Sequence, residues 1–190
     1  MLAEETTFYL EMLAPSELRP ALPPGSFFQP DAPRSVEIRR VEVPSPELNR
    51  FFYTAVGGDW YWIDRLPWTI DQWRQSMARP GHETWMLLVA GSPAGYFELD
   101  LVAYEVEIAY FGLLPAFVGQ GLGGYLLTAA TERAWSLGAA RVWVHTSSFD
   151  HPQALANYLA RGFRLYHEEQ SVKELPAAPP GPWPGANSKQ

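Results

Sequence analysis

A glycine cluster between a predicted strand and a predicted helix places the strongest constraint on how this chain can fold. The strand ends near Phe111, a turn follows at Pro115, and the glycines stand in the run Gly119-Gln120-Gly121-Leu122-Gly123-Gly124. Apolar residues then recur at helical spacing as far as Leu137. Glycines let an anion approach the backbone closely, and the free N–H groups of a helix's first turn favour negative charge. The segment therefore predicts a binding site for a phosphate-bearing ligand.

Three interpretations of the glycine cluster compete on these residues alone. A dinucleotide-binding Rossmann turn needs an acidic residue at the end of the next strand, and the next predicted strand ends at Thr146. A P-loop needs lysine and then serine or threonine after its last glycine, whereas Gly123 is followed by Gly124 and Tyr125. A purely structural glycine turn is the third interpretation.

The predicted elements follow the order β-α-α-β-β-β-α-β-α-β. Alternation of apolar and polar residues marks the first strand, and Ser45-Pro46 provides an N-cap and a first-turn proline for the first helix. Strands are predicted at 36–43, 84–90, 95–103, 105–113, 141–146 and 163–168, and helices at 45–56, 69–79, 119–137 and 152–161. An antiparallel meander followed by alternating helices and strands indicates an α/β fold, with a mixed sheet and helices on both faces.

Proline placement sets the predicted domain boundaries. Of the 18 prolines, six lie in residues 1–34 and five in residues 176–190. Proline cannot continue a helix or a central sheet ladder. We therefore expect a proline-rich N-terminal extension over residues 1–34, one folded domain over residues 35–173 and a disordered tail over residues 174–190.

The composition narrows the partners that the chain can have. With 14 basic and 21 acidic residues the net charge is -7, which argues against a general nucleic-acid or anionic-membrane binder. The absence of cysteine excludes disulfides, cysteine nucleophiles and thiolate metal sites, and the scattered histidines do not predict a metal site. No run approaches about twenty apolar residues, and the first residues do not resemble a secretory signal, so we expect a cytoplasmic protein.

Two motifs resemble those of the GNAT superfamily of acetyl-CoA-dependent N-acetyltransferases. Residues 120–124 resemble the acetyl-CoA pyrophosphate loop, usually Arg/Gln-x-x-Gly-x-Gly/Ala, although Val118 stands where the first Arg or Gln is common. Residues 154–163 resemble the family pattern Ala-x-x-x-Tyr-x-x-x-Gly-Phe. The resemblance covers residues 36–169. It implies a mixed, mostly antiparallel sheet with helices on both faces, and acetyl-CoA as the co-substrate.

The resemblance also implies where acetyl-CoA binds. The strand that ends at Leu113 separates from its neighbour and pairs its backbone with the pantetheine arm, and the glycine loop holds the pyrophosphate through backbone N–H groups. The N–H near Leu113 then faces the thioester carbonyl, where negative charge develops. The residues expected to bind acetyl-CoA are Phe111, Leu113, Val118, Gly119, Gln120, Gly121, Leu122, Gly123, Gly124 and Asn157.

Three side chains are candidates for proton transfer. By resemblance, Glu107 falls where the histone-acetylating branch carries its general-base glutamate, and Tyr158 matches the tyrosine that protonates the departing thiolate in many members. Glu98, among aromatic residues on the preceding strand, is a second candidate base, because a carboxylate there needs a partner or a function. The alternative interpretations are a solvated Glu107, a buried hydrogen bond at Glu98 and an amphipathic core tyrosine at Tyr158.

One histidine and an aromatic run complete the candidate site. His145 lies in the alternation of the strand at 141–146, and its expected role is a structural hydrogen bond. Eight aromatic residues crowd into residues 51–73, with Asp59, Asp64 and Asp71 among them. This composition suits either a pocket for a cationic amine or a core that closes one edge of the sheet.

The predicted function is transfer of an acetyl group from acetyl-CoA to a primary amine of a small molecule or peptide by direct attack. In this prediction Glu107 or Glu98 is the base and Tyr158 is the acid. The sequence leaves open whether the chain forms a homodimer. Two rival functions also stay open: a CoA-binding regulatory module that has lost turnover, and a nucleotide-binding protein that uses the glycine loop alone.

Overall fold

The computed structural model describes residues 1–25 and 35–186, and within them a single sheet carries helices on its faces. The strands are β1 (Leu2–Met12), β2 (Val36–Arg40), β3 (His82–Val89), β4 (Ser92–Val102), β5 (Glu105–Leu113), β6 (Arg141–Ser147) and β7 (Arg164–Glu174). The helices are α1 (Pro46–Gly57), α2 (Ile70–Met77), α3 (Leu122–Ser136) and α4 (Ala154–Ala160). The strands lie in the order β2-β3-β4-β5-β6-β1-β7.

Neighbouring strands of this sheet are antiparallel except at one place. β5 and β6 are parallel, and they pair only from Glu105 with Arg141 to Glu107 with Trp143. A β-bulge at Ala109 bends β5 directly after this short ladder. The two strands therefore part beyond Glu107 and leave an opening in the middle of the sheet.

The two faces of the sheet carry different helices. Along β4, Phe97 and Leu99 point to one face and join the main core with Leu126 of α3. Tyr96, the residue before Phe97, points to the other face and stacks on Phe52 of α1 with ring centroids 4.9 Å apart. Because alternate residues of a strand face opposite sides, α1 and α3 cover opposite faces. The predicted mixed, mostly antiparallel sheet with helices on both faces is confirmed.

The first two helices each begin directly after a residue whose side chain caps the helix N-terminus. The side chain of Ser45 accepts a hydrogen bond from the N–H of Leu48, and Pro46 follows it in the first turn. At the second helix, Thr69 and Gln72 form a reciprocal capping box. Each cap satisfies backbone donors that the first turn of a helix leaves unpaired.

The strand β1 corrects the predicted domain boundary. Leu2–Met12 lies inside the sheet, antiparallel to β6 on one side and to β7 on the other. Leu10 and Met12 are fully buried in the main core. The proline count misled the prediction, because the prolines of residues 1–34 begin only at Pro15, after the strand has ended. The folded domain thus includes residues that the sequence analysis assigns to an extension.

Both terminal segments also contact the domain beyond their strands. The N–H of Ala21 donates to Thr128 Oγ1 of α3 at 2.9 Å. The N–H of Gly181 donates to the carbonyl of Gly58 at 3.0 Å, and Leu175 is buried, so the expected disorder of residues 174–186 is corrected. The remainder of the predicted extension and tail, residues 26–34 and 187–190, lies outside the described residues. Across the described part of the chain, no helix is long and apolar enough to cross a bilayer.

Candidate active site

A cavity of about 580 Å³ occupies the opening between β5 and β6. This volume lies within the range of small-molecule and cofactor sites. Its walls come from the diverging part of β5, the glycine loop, α4, the end of β6, the middle of β1, the second half of α1 and the aromatic segment at residues 60–62. Elements from most of the chain therefore meet at one site.

The glycine loop forms one end of the cavity. Gly119 and Gly121 both have φ of 79°, in the left-handed region that favours glycine. Gly121 is the N-cap of α3, and no side chain caps that helix. The first-turn N–H groups of α3 are therefore available to a ligand, which fits the pyrophosphate of acetyl-CoA.

Most of the residues expected to bind acetyl-CoA line this cavity. They are Phe111, Leu113, Val118, Gly119, Gly121, Gly123, Gly124 and Asn157. Two do not line it: the side-chain amide of Gln120 donates to the carbonyl of Ala116 at 2.7 Å, and Leu122 is fully buried in the core. At Gln120 and Leu122, any contact with acetyl-CoA would therefore come from the backbone and not from the side chain.

Tyr158 lies in the wall of the cavity, on α4. Its side chain is 5% exposed, and its ring contacts Phe111 with centroids 6.0 Å apart. Burial, together with the negative charge of Asp150, raises the pKa of the Tyr158 hydroxyl well above its ordinary value. The hydroxyl therefore keeps its proton near neutral pH and can act as a proton donor.

Glu98, the second candidate base, does not line the cavity. Its side chain is fully buried, with one oxygen 2.8 Å from Arg65 Nη1 and the other accepting from Asn49 Nδ2 at 3.0 Å. Both oxygens are thus used within the protein. The buried hydrogen bond, left open as an alternative by the sequence, is the arrangement found.

Glu107 meets His145 at the wall of the cavity. Glu107 is the residue before the first cavity-lining residue of β5 and does not itself line the cavity. Its Oε1 lies 3.2 Å from Nδ1 of His145, which does line it. The hydrogen bond to Glu107 raises the pKa of the His145 imidazole above its ordinary value. His145 thus has a carboxylate within hydrogen-bond distance, at a position that also faces the site.

Two cavity carboxylates were not identified from the sequence. Glu5 of β1 accepts a hydrogen bond from Ser147 Oγ at 2.7 Å. Asp150, after β6, accepts from Trp62 Nε1 at 2.9 Å and from Thr146 Oγ1 at 2.8 Å. The side chain of Glu5 could have been placed on one face of β1 from the alternation of that strand. No local sequence pattern distinguishes Asp150 from other acidic residues. In the described residues, no group of three or more histidine or acidic side chains is arranged to hold a metal ion.

The aromatic run divides between the cavity and the core. Tyr53, Trp60, Tyr61 and Trp62 line the cavity, together with Asp64. The core takes Phe52 and Trp73, both almost completely buried. Asp59 and Asp71 do not line the cavity. The aromatic run therefore contributes one part to the wall of the cavity and another part to the core, and a pocket for a cationic amine stays a prediction.

Comparison with known proteins agrees with this geometry. The family described as Acetyltransferase (GNAT) family matches residues 46–163. Among solved structures, the chain is similar to GCN5-related N-acetyltransferases from Kribbella flavida (20% identity, 90% of this chain and 58% of that chain, TM-score 0.60) and Sphaerobacter thermophilus (18% identity, 90% and 52%, TM-score 0.62). It is also similar to the ribosomal-protein-S18-alanine N-acetyltransferase from Escherichia coli (18% identity, 82% and 100%, TM-score 0.56).

These structural similarities concern the fold, because all three identities are low. The chain spans less than two thirds of the length of the Kribbella and Sphaerobacter proteins. A search of curated protein sequences finds no significant match. The family match covers more than half of the chain, and it includes the glycine loop and Tyr158. The chain belongs to the GNAT acetyltransferase family.

Proposed function

We propose that the protein is an N-acetyltransferase that transfers the acetyl group of acetyl-CoA to a primary amine of a small molecule or peptide by direct attack. The observation that carries the proposal is the cavity between β5 and β6, which has an uncapped helix N-terminus at one end and Tyr158 in its wall. Acetyl-CoA is the co-substrate of the family to which the chain belongs.

Two features of the cavity support binding of acetyl-CoA. The glycine loop offers free backbone N–H groups at Gly121 and the first turn of α3 to the pyrophosphate. Among the described residues, no strand pairs with β5 beyond Glu107 on the side of β6, so its backbone groups near Phe111 and Leu113 are available to the pantetheine arm. When bound, acetyl-CoA supplies the acetyl group as an activated thioester.

The remaining chemistry belongs to side chains of the chain itself. The hydroxyl of Tyr158 donates its proton to the departing thiolate, a role that rests on its position in the cavity wall beside Phe111. Glu107, next to the first cavity-lining residue of β5 and in contact with His145, supplies the carboxylate for removal of the acceptor's proton. In the described part of the chain, three carboxylates line the rest of the cavity, those of Glu5, Asp64 and Asp150, against one ammonium, that of Lys173, which lies 3.6 Å from Glu5 and 3.9 Å from Asp64. The excess of negative charge favours a cationic acceptor over an anionic one.

The test is release of CoA thiol from acetyl-CoA by the full chain in the presence of primary-amine probes: putrescine, lysine methyl ester and phenethylamine. We expect amine-dependent release with at least one probe. In the Tyr158→Phe variant the rate falls about 100- to 10,000-fold, because a general acid is removed, while acetyl-CoA still binds. The matched control is Tyr125→Phe, a partly buried tyrosine on α3 that packs against the core outside the cavity.

Two results contradict this proposal in different ways. Wild-type turnover by Tyr158→Phe overturns the role of Tyr158 as the acid. Tight binding of acetyl-CoA with no amine-dependent release favours the CoA-binding module that has lost turnover.

A further inference from the structure

We propose that Nε2 of His145 removes the proton from the acceptor ammonium, and that Glu107 is a positioning residue that acts through His145. This inference rests on the proposed function and names the base within it. An N–H bond of the ammonium breaks, a new N–H bond forms at Nε2, and the electron pair left on the amine nitrogen becomes the nucleophile. The imidazolium then releases its proton to water.

The position of His145 in the sheet brings its side chain to the cavity. His145 lies on β6, two residues beyond Trp143, the last residue of β6 that pairs with β5. Because the strands have parted there, its side chain reaches the cavity and is 45% exposed. A base must come within hydrogen-bond reach of the proton that it accepts, and His145 meets this condition from the wall where β5 and β6 separate.

The contact between His145 and Glu107 selects the tautomer of the imidazole ring. Nδ1 lies 3.2 Å from Glu107 Oε1, and the His145 side chain also lines the cavity. A carboxylate accepts hydrogen bonds, so Nδ1 carries the hydrogen and Nε2 keeps its lone pair in the neutral ring. A carboxylate behind an imidazole fixes the tautomer in this way in Ser-His-Asp hydrolases.

The surroundings of Glu107 argue against its acting alone. Its side chain is 23% exposed and does not line the cavity, and one of its oxygens is held by His145. The other candidate carboxylate, Glu98, is fully buried against Arg65. His145 is therefore the group that connects the Glu107 charge with the cavity.

The charges around His145 fix the direction of its pH dependence. Glu107 faces it from β5, Glu5 and Tyr9 lie on β1, and Asp150 follows β6. The hydrogen bond to Glu107 is the main cause that raises the pKa of His145, with smaller contributions from Asp150 and Glu5, while burial opposes them. The neutral ring is the base, so the rate rises with pH through this raised pKa. Loss of the Glu107 charge moves the rise to lower pH.

The experiment measures kcat/KM of the full chain against pH with the same amine probes. We expect His145→Gln to lower kcat/KM about 100- to 10,000-fold and to abolish the pH rise, with acetyl-CoA affinity unchanged. We expect Glu107→Gln to shift the rise to lower pH and to lose less rate than His145→Gln. Added imidazole restores part of the rate of His145→Ala and leaves Tyr158→Phe unchanged.

Matched controls separate this chemistry from changes in the fold. His167→Gln removes an exposed imidazole on β7 that contacts Tyr9 from the other side. Glu105→Gln removes an exposed carboxylate two residues before Glu107 that pairs with Arg141. Both controls are expected to keep the wild-type pH profile. An NMR titration of the His145 ring in wild type and in Glu107→Gln measures the pKa shift without any acceptor, and we expect a lower pKa in the variant.

Distinct outcomes overturn the inference and the proposed function. If His145→Gln keeps the wild-type rate, or if Glu107→Gln loses more rate than His145→Gln, His145 is not the base, although the acetyltransferase activity stands. An unchanged His145 pKa in Glu107→Gln also overturns the positioning role. If the wild-type chain turns over none of the amine probes, the proposed function fails and the inference fails with it.

Discussion

At the scale of single residues, Glu98 and Glu107 show how surroundings give one residue type two uses. Glu98 is fully buried and shares its oxygens between Arg65 and Asn49. Burial is the largest single influence on the pKa of Arg65 and lowers it, but the charge and hydrogen bond of Glu98, together with Tyr110 and Tyr96, raise that pKa above its ordinary value. Glu107 stands at the edge of the cavity and holds His145. We propose that Glu98 stabilises the fold and that Glu107 positions His145.

The Glu98→Gln substitution tests the first assignment. It leaves the guanidinium of Arg65 buried without its counter-charge, and removal of one partner of a buried ion pair costs about 3–5 kcal/mol. Urea unfolding monitored by tryptophan fluorescence measures the loss. The control is Asp71→Asn, which breaks the exposed Arg74–Asp71 pair and costs about 0–1 kcal/mol. A Glu98→Gln protein of wild-type stability that has lost turnover contradicts the assignment and returns Glu98 to catalysis.

The sequence allowed prediction of cavity residues where the motif that identifies them lies within a short stretch of the chain. The spacing around Tyr158 and the glycines of the loop identified residues that the structure brings into one cavity. The contact of His145 with Glu107 depends instead on the register of β5 against β6 and on the point where those strands part. Such a register follows from the packing of the whole sheet, so no pattern within either strand specifies it.

At the scale of elements, the cavity exists because β5 bends away from β6. The bulge at Ala109 follows the last paired residues, and the α3 N-terminus lies at the end of the opening. Gly119 and Gly121 turn the chain from β5 into α3 with positive φ. A strand edge and a helix N-terminus are thus presented to the same space.

Gly119→Ala tests whether the loop binds the pyrophosphate. Gly119 has φ of 79° and Gly91, in the β3–β4 turn, has φ of 78°, and a Cβ at either position meets nothing within 4 Å. Each alanine variant therefore carries the same backbone strain, about 1–2 kcal/mol. Only Gly119 lines the cavity, so we expect Gly119→Ala to weaken acetyl-CoA binding about tenfold or more, equivalent to about 1.4 kcal/mol, while Gly91→Ala keeps wild-type affinity.

Calorimetry with acetyl-CoA, free CoA and ADP measures these affinities. Weaker binding of ADP than of CoA is expected, because ADP lacks the pantetheine arm that β5 would pair. Equal affinities in the two alanine variants contradict the role of the loop. Equal affinities for ADP and CoA favour a site for nucleotides.

At the scale of the whole molecule, β1 joins the two ends of the chain into one sheet. It pairs with β6 and β7, and it brings Glu5, Thr7 and Tyr9 to the cavity. The order of the other predicted elements is confirmed, because each has its own periodicity and its own boundary signals. The position of β1 could not be predicted in the same way, because it pairs with strands from the opposite end of the sequence.

Leu10→Ala tests the place of β1 in the core. Leu10 is fully buried, so its truncation is expected to cost about 2–5 kcal/mol of the free energy of unfolding. Leu2→Ala on the same strand is the control, because Leu2 is 76% exposed and its truncation is expected to cost at most about 0.5 kcal/mol. Thermal and urea unfolding compare the two variants. Equal stabilities contradict the interior position of β1.

The most direct test of the acetyltransferase activity is mass spectrometry of the amine probes after incubation with isotopically labelled acetyl-CoA and the full chain. We predict that at least one amine gains the mass of a single labelled acetyl group, that the gain depends on the wild-type protein, and that it is reduced about 100-fold or more by Tyr158→Phe. Acetyl-CoA that binds and stays intact, with every amine unlabelled, contradicts the account.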